Sequence, residues 1–127
     1  MDATEQLVKK IKGFGTSADA IKIQANLRDV SSAKHIVDAT VQVFVSIVHN
    51  LANNAGEGDI GSFTKTFYVN VRAAYIMTEK IAPYFPKIGG RIINVGSIAG
   101  REGLPQQSLY NASNLRLKVS QGAGLAS

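Results

Sequence analysis

The stretch RIINVGSIAGREGLPQQSLYNASN, residues 91–114, decides the fold. An apolar run from Arg91 ends at Gly96 and Ser97. A loop punctuated by Gly100, Gly103 and Pro105 follows, and near Ser108 a helix opens that carries Tyr110. A hydroxyl at the carboxyl end of a buried strand, with a phenol brought back beside it, is the geometry of a site in an open α/β sheet. Ser97 and Tyr110 can each donate and accept a hydrogen bond, so together they can polarise a carbonyl and move a proton. On spacing alone, a strand-end serine and a half-buried tyrosine without chemistry are the simpler account, since a fold does not fix a function.

Working outward, the chain alternates helix and strand. Asp2 with Glu5 has the form of a capping box ahead of Leu7, Ile11 and Phe14 at helical spacing, and Gly13 and Gly15 stop that helix. The alternation in 21–27 predicts a strand. Asp29 or Ser31 caps the next helix, whose stripe is Ala33, Ile36, Val37, Val41 and Phe44. Residues 46–56 begin like a buried strand, but His49 and Asn50 interrupt it before the turn at 53–56. A long helix is expected over 63–82, with Phe63, Phe67, Val71, Ala74 and Ile81 on its buried stripe and Pro83 and Pro86 at its end. Gly89 and Gly90 then turn the chain into a strand at 91–96, whose Ile92–Ile93 pair predicts burial on both faces. The last helix runs from near Ser108 toward Gly122. The expected fold is α/β, a partial Rossmann-like (doubly wound) parallel sheet of about three strands with flanking helices, in one domain over 1–127.

The 127 residues suffice for one core, and 45% hydrophobic with 18% charged residues fits a soluble globular class. No apolar run approaches the ~20 residues of a bilayer span, so no membrane partner is expected. Asp2 and Glu5 precede any hydrophobic stretch, which is unlike a secretory signal. The absence of cysteine excludes thiolate chemistry and fits a reducing compartment, with the cytoplasm the expected location. The net charge of +5 is scattered apart from Lys9, Lys10 and Lys12, without interleaved aromatics, so nucleic acid is not expected as a partner. His35 and His49 have no ligand at metal spacing, and no metal is expected. Residues 56–61, GEGDIG, formally match GxGxxG, but Glu57 and Asp59 set negative charge where phosphates need donors, and the match is rejected. Asn70 falls on the apolar stripe of the long helix and needs partners there.

Together Asn53-Asn54-Ala55-Gly56, the VNV at 69–71, RIINVGS at 91–97, and Tyr110 thirteen residues after Ser97 resemble the short-chain dehydrogenase/reductase family. The resemblance implies a Rossmann-type sheet and an oxidoreductase that interconverts carbonyl and alcohol with NAD or NADP, on a small-molecule substrate. By the same resemblance Tyr110 is the catalytic acid/base, Ser97 the substrate-orienting hydroxyl and Asn70 a water-holding asparagine. Asn53, Asn54, Ala55 and Gly56 match the turn beside the cofactor, and Asn26 and Leu27 the pair near its adenine. The helices at 63–82 and 109–120 match those that commonly form the family's dimer interface, which implies a homo- or hetero-oligomer.

Four departures stand beside the matches. The family's lysine, one helical turn after the tyrosine and on the same face, is Asn114. No glycine-rich first turn seats a pyrophosphate, so the resemblance implies a partial domain, and the family's later strands fall beyond residue 127. Residues 47–52 carry an apparent extra residue. In the doubly wound order 3-2-1-4-5-6, the strand at 21–27 is separated from the other two by two missing strands. Three readings stay open: an NAD(P)-dependent oxidoreductase, a truncated inactive remnant, and a dimerisation module.

Overall fold

The computed structural model describes residues 2–44, 47–58, 61–102 and 105–114. Its elements in chain order are α1 (Ala3–Lys12), α2 (Ser31–Val43), β1 (Asn50–Asn53) and α3 (Phe63–Phe67). A π-helical turn (Tyr68–Ala73) then joins α3 to α4 (Ala74–Ile81), followed by a 3-10 turn (Ala82–Tyr84), β2 (Arg91–Asn94) and a second 3-10 turn (Ile98–Gly100). The last described residues form α5 (108–114). The helix expected beyond 114 lies outside the described residues.

The two strands pair in parallel, Asn50 opposite Arg91 through Asn53 opposite Asn94. A parallel pair needs a long crossover, and α3, the π turn and α4 provide it. Helix α4 packs against β1, and α2 packs against α4. Among the described residues the buried apolar side chains are Ala33, Val37, Ala73, Ile81 and Ala99.

Local chemistry accounts for the element ends. Asp2 accepts from the Glu5 N–H while the Glu5 carboxylate accepts from the Asp2 N–H, which completes the expected capping box on α1. At α2, Asp29 Oδ1 accepts from the Ser31 N–H at 2.9 Å from outside the helix, and the N-cap residue itself is Val30. Gly89 adopts φ +93, and a Cβ on Gly90 would stand 3.0 Å from the Phe85 ring. This turn into β2 therefore takes two glycines.

The structure corrects several sequence expectations. Residues 21–27 form no ladder; their in–out alternation survives, with Ile21 and Ile23 half-buried and Lys22 and Gln24 exposed. The physical reason is the lack of a neighbour: among the described residues no strand pairs with this segment to complete a ladder. Strand β1 starts at Asn50, the residue expected to interrupt it, and both His49 and Asn50 are exposed. β2 ends at Asn94 rather than at residue 96, and Ile93 is 49% exposed because one face of a two-stranded sheet stays uncovered. The long helix buries Thr66, Asn70, Ala73 and Ile81, one position away from the expected stripe over its first half. Phe63 is 59% exposed and stacks on Phe67 at 4.4 Å instead of entering the core. The π turn explains the offset, since it inserts an extra residue into the helical repeat. Helix α1 buries no residue at all, with Leu7 56% exposed. Among the described residues no helix is long and apolar enough to cross a membrane.

Candidate active site

At the carboxyl ends of β1 and β2 the chain leaves a cavity of about 330 Å³. Its wall is the loop after β1 (Asn54, Ala55, Gly56, Gly58), the residues after β2 (Val95, Gly96), Asn70 from the π turn, and Tyr110 and Asn114 from α5. This is the crevice that open α/β sheets offer to ligands. Parallel pairing brings the two post-strand loops side by side, and α5 closes the third side.

None of these nine residues carries a charge. Two glycines shape the space. A Cβ on Gly58 would come 4.0 Å from Tyr110 Cδ2, while a Cβ on Gly96 would meet nothing within 4 Å. A backbone-lined wall of this kind lets a flat ring approach closely.

One polar network sets the position of Tyr110. Asn70 Oδ1 accepts from the Glu57 N–H at 2.7 Å, and Asn70 Nδ2 donates to the Glu57 carbonyl at 2.9 Å. The same Nδ2 donates to Ser113 Oγ at 3.0 Å. Ser113 Oγ in turn donates to the Tyr110 carbonyl at 2.8 Å, where Asn114 Nδ2 also donates at 2.9 Å. Both hydrogens of the Asn70 amide are thus given to protein groups, and the side chain clips a loop to a helix. The Glu57 N–H is thereby spent on Asn70. The Glu57 carboxylate is held by Arg28 Nη2, at 2.6 and 2.8 Å.

The residues singled out from the sequence separate into two groups. Asn54, Ala55, Gly56, Asn70, Tyr110 and Asn114 meet at the cavity. The others serve neighbouring structure. Asn53 Nδ2 donates across the sheet to Asn94 Oδ1 at 2.8 Å, clamping the strand ends. Ser97 Oγ accepts from the Ala99 N–H at 3.2 Å and caps the turn that follows, beside cavity-lining Gly96. Asn26 Oδ1 accepts from the Arg28 N–H, and its carbonyl accepts from Ser32 Oγ. Leu27 lines a separate small gap with Val30, Ala33, Ala73, Ile76 and Met77, between α2 and α4. Two participants carried no sequence signal: Glu57, which acts through its backbone, and Ser113, which reads as an ordinary helix residue.

A parallel sheet with its cavity at the carboxyl strand ends, and a tyrosine-bearing helix closing that cavity, is a Rossmann-type architecture. A family profile described as short chain dehydrogenase matches residues 1–117, and the chain belongs to that family. It is 34% identical over 123 residues to Dehydrogenase OXI1 of Cochliobolus heterostrophus, covering 91% of this chain and 53% of that one. Trihydroxynaphthalene reductase PfmaI of Pestalotiopsis fici is 28% identical over 88% of this chain and 42% of its own. A short chain dehydrogenase from Burkholderia cenocepacia, solved in complex with NADP, superposes with a TM-score of 0.82 at 31% identity, covering 94% of this chain and 51% of that one. The chain spans about half the length of the curated relatives it matches.

Proposed function

We propose that the cavity is the reacting end of an oxidoreductase site that interconverts a carbonyl and an alcohol with NAD or NADP. The observation that carries this is Tyr110 set in the wall of a backbone-lined cavity at the carboxyl ends of a parallel sheet. The space suits one flat ring with its sugar rather than a whole dinucleotide, and the backbone stretch 54–58 with Gly96 is the surface such a ring would lie on. A nicotinamide cofactor would supply the hydride. Tyr110 gives its phenolic proton to the substrate oxygen during reduction and takes it back during oxidation. Ser97 keeps its hydroxyl hydrogen for that same oxygen, because its bond to the Ala99 N–H uses the oxygen as acceptor. Asn114 stands where a cation would favour the phenolate, so proton transfer here runs without that help.

Purified chain, given NADH or NADPH and a panel of small carbonyl compounds, should oxidise cofactor slowly, and Tyr110→Phe should abolish the reaction. Turnover that survives Tyr110→Phe contradicts the assignment. A second reading, an association module, is favoured by one observation: Phe63, Tyr75 and Ile88 all lie exposed, Tyr75 at 69%. Apolar surface of this kind marks protein contacts when it is contiguous. Sedimentation of the chain, alone and as Tyr75→Asp, tests it; a monomer at all concentrations sinks it.

A further inference from the structure

Ser113 is completely buried, with 0% exposure, inside a helix whose neighbouring wall residue Asn70 is itself 4% exposed. On packing grounds alanine would serve that position better. Serine has lower helix propensity, and a buried hydroxyl costs free energy unless it is bonded. Here the hydroxyl is used in both directions. It accepts from Asn70 Nδ2 at 3.0 Å and donates to the Tyr110 carbonyl at 2.8 Å.

We propose that Ser113 is a positioning residue: its hydroxyl fixes Tyr110 and Asn114 against the cavity by joining the Tyr110 carbonyl to the Asn70 amide. The proposal rests on the reading of Tyr110 as the proton-transfer group. Asn70 passes the constraint on to the Glu57 backbone, which it holds through two bonds at 2.7 and 2.9 Å. The relay therefore ties together the post-β1 loop, the π turn and α5, and each of these contributes residues to the cavity wall. The π turn belongs to the device, because it presents Asn70 inward between the loop and α5; such turns recur at functional sites. A misplacement of about 1 Å at a reacting group is enough to cost ~100-fold in rate. Alanine can neither accept nor donate at this point, whereas threonine can do both.

The test compares Ser113→Ala and Ser113→Thr with the unaltered chain by two readouts. The first is amide hydrogen exchange at Glu57, which Ser113 does not touch, with Arg91, bonded to the His49 carbonyl, as the control. The relay predicts that Ser113→Ala speeds exchange at Glu57 by ~10-fold and leaves Arg91 unchanged, with threonine restoring protection. The second readout is the split between kcat and cofactor Kd. Ser113→Ala should lower kcat by ~10-fold while Kd moves less than ~2-fold, because the ring-facing backbone is kept. Unchanged Glu57 exchange in Ser113→Ala overturns the relay, as does an unchanged kcat. If the unaltered chain binds no cofactor while Glu57 still responds, the hydrogen-bond relay stands and the oxidoreductase reading fails.

Discussion

In the proposed reaction, Asn114 sets the chemical limit. One helical turn after Tyr110, it offers a neutral amide whose Nδ2 is already given to the Tyr110 carbonyl. A cation ~6 Å from a phenolate, at an effective dielectric of ~20, is worth about 3 kcal/mol. Asn114→Lys should therefore raise kcat by up to ~100-fold, read as cofactor oxidation against the unaltered chain. A rate that stays flat in a variant that binds cofactor shows that proton transfer does not limit turnover. Asn70 makes the contrasting prediction. Asn70→Ala leaves the Glu57 N–H and carbonyl without partners and should cost about 3 kcal/mol, measured as a shift in the urea midpoint. A shift under ~0.5 kcal/mol means that the clip is dispensable. At this scale the sequence was legible wherever side-chain identity is tied to chemistry. Tyr110 and Asn114 were legible through the family resemblance rather than through spacing alone, and Asn70 through its place on an apolar stripe. Glu57 was not legible in this role, because its bonds to Asn70 run through its backbone and do not depend on its side chain. Ser113 was hidden because serine in a helix is so often neutral.

Elements were legible when their ends carry chemistry and obscure when tertiary partners decide. The capping box on α1, the Asp29 bond at α2 and the proline stop after α4 all lie near where composition placed them. The segment 21–27 has strand patterning without a strand, because a ladder needs a neighbour and patterning supplies only a face. The π turn escaped detection because the helical repeat assumes a constant number of residues per turn, and Tyr68–Ala73 breaks that assumption. Arg72 lies 3.6 Å over the Tyr68 ring of the same turn, and its Nη2 donates outside the turn to the Arg28 carbonyl. The uncovered sheet face gives a direct check. Ile93→Thr should change stability by less than ~0.5 kcal/mol, while Ile81→Ala, in the core, should cost ~2–4 kcal/mol, both by denaturant unfolding. Equal losses at the two positions contradict the described burial.

For the molecule as a whole, the weakest attachment is α1, which buries nothing and is tied down by charge. Lys22 bonds both Asp2 and Glu5, and Lys12 pairs with Asp19 at 2.9 Å. Lys22, and after it the reciprocal backbone bonds of the capping box, hold both carboxyls below their ordinary values of 3.8 and 4.5. Groups with depressed folded values stabilise fully above their ordinary values, and that help is lost as pH falls through the depressed ones. Acidification below pH 4.5 and then 3.8 should therefore loosen α1 first, seen as loss of the Glu5 amide shift while β2 amides hold. Simultaneous loss throughout the chain contradicts an electrostatically tethered helix. Cofactor binding in the cavity is tested most directly by titrating the unaltered chain and its Tyr110→Phe variant with NADH and NADPH, following nicotinamide fluorescence. Saturable enhancement in both proteins is predicted, since the backbone wall and not the phenol holds the ring. No change in nicotinamide fluorescence at millimolar cofactor would contradict the account.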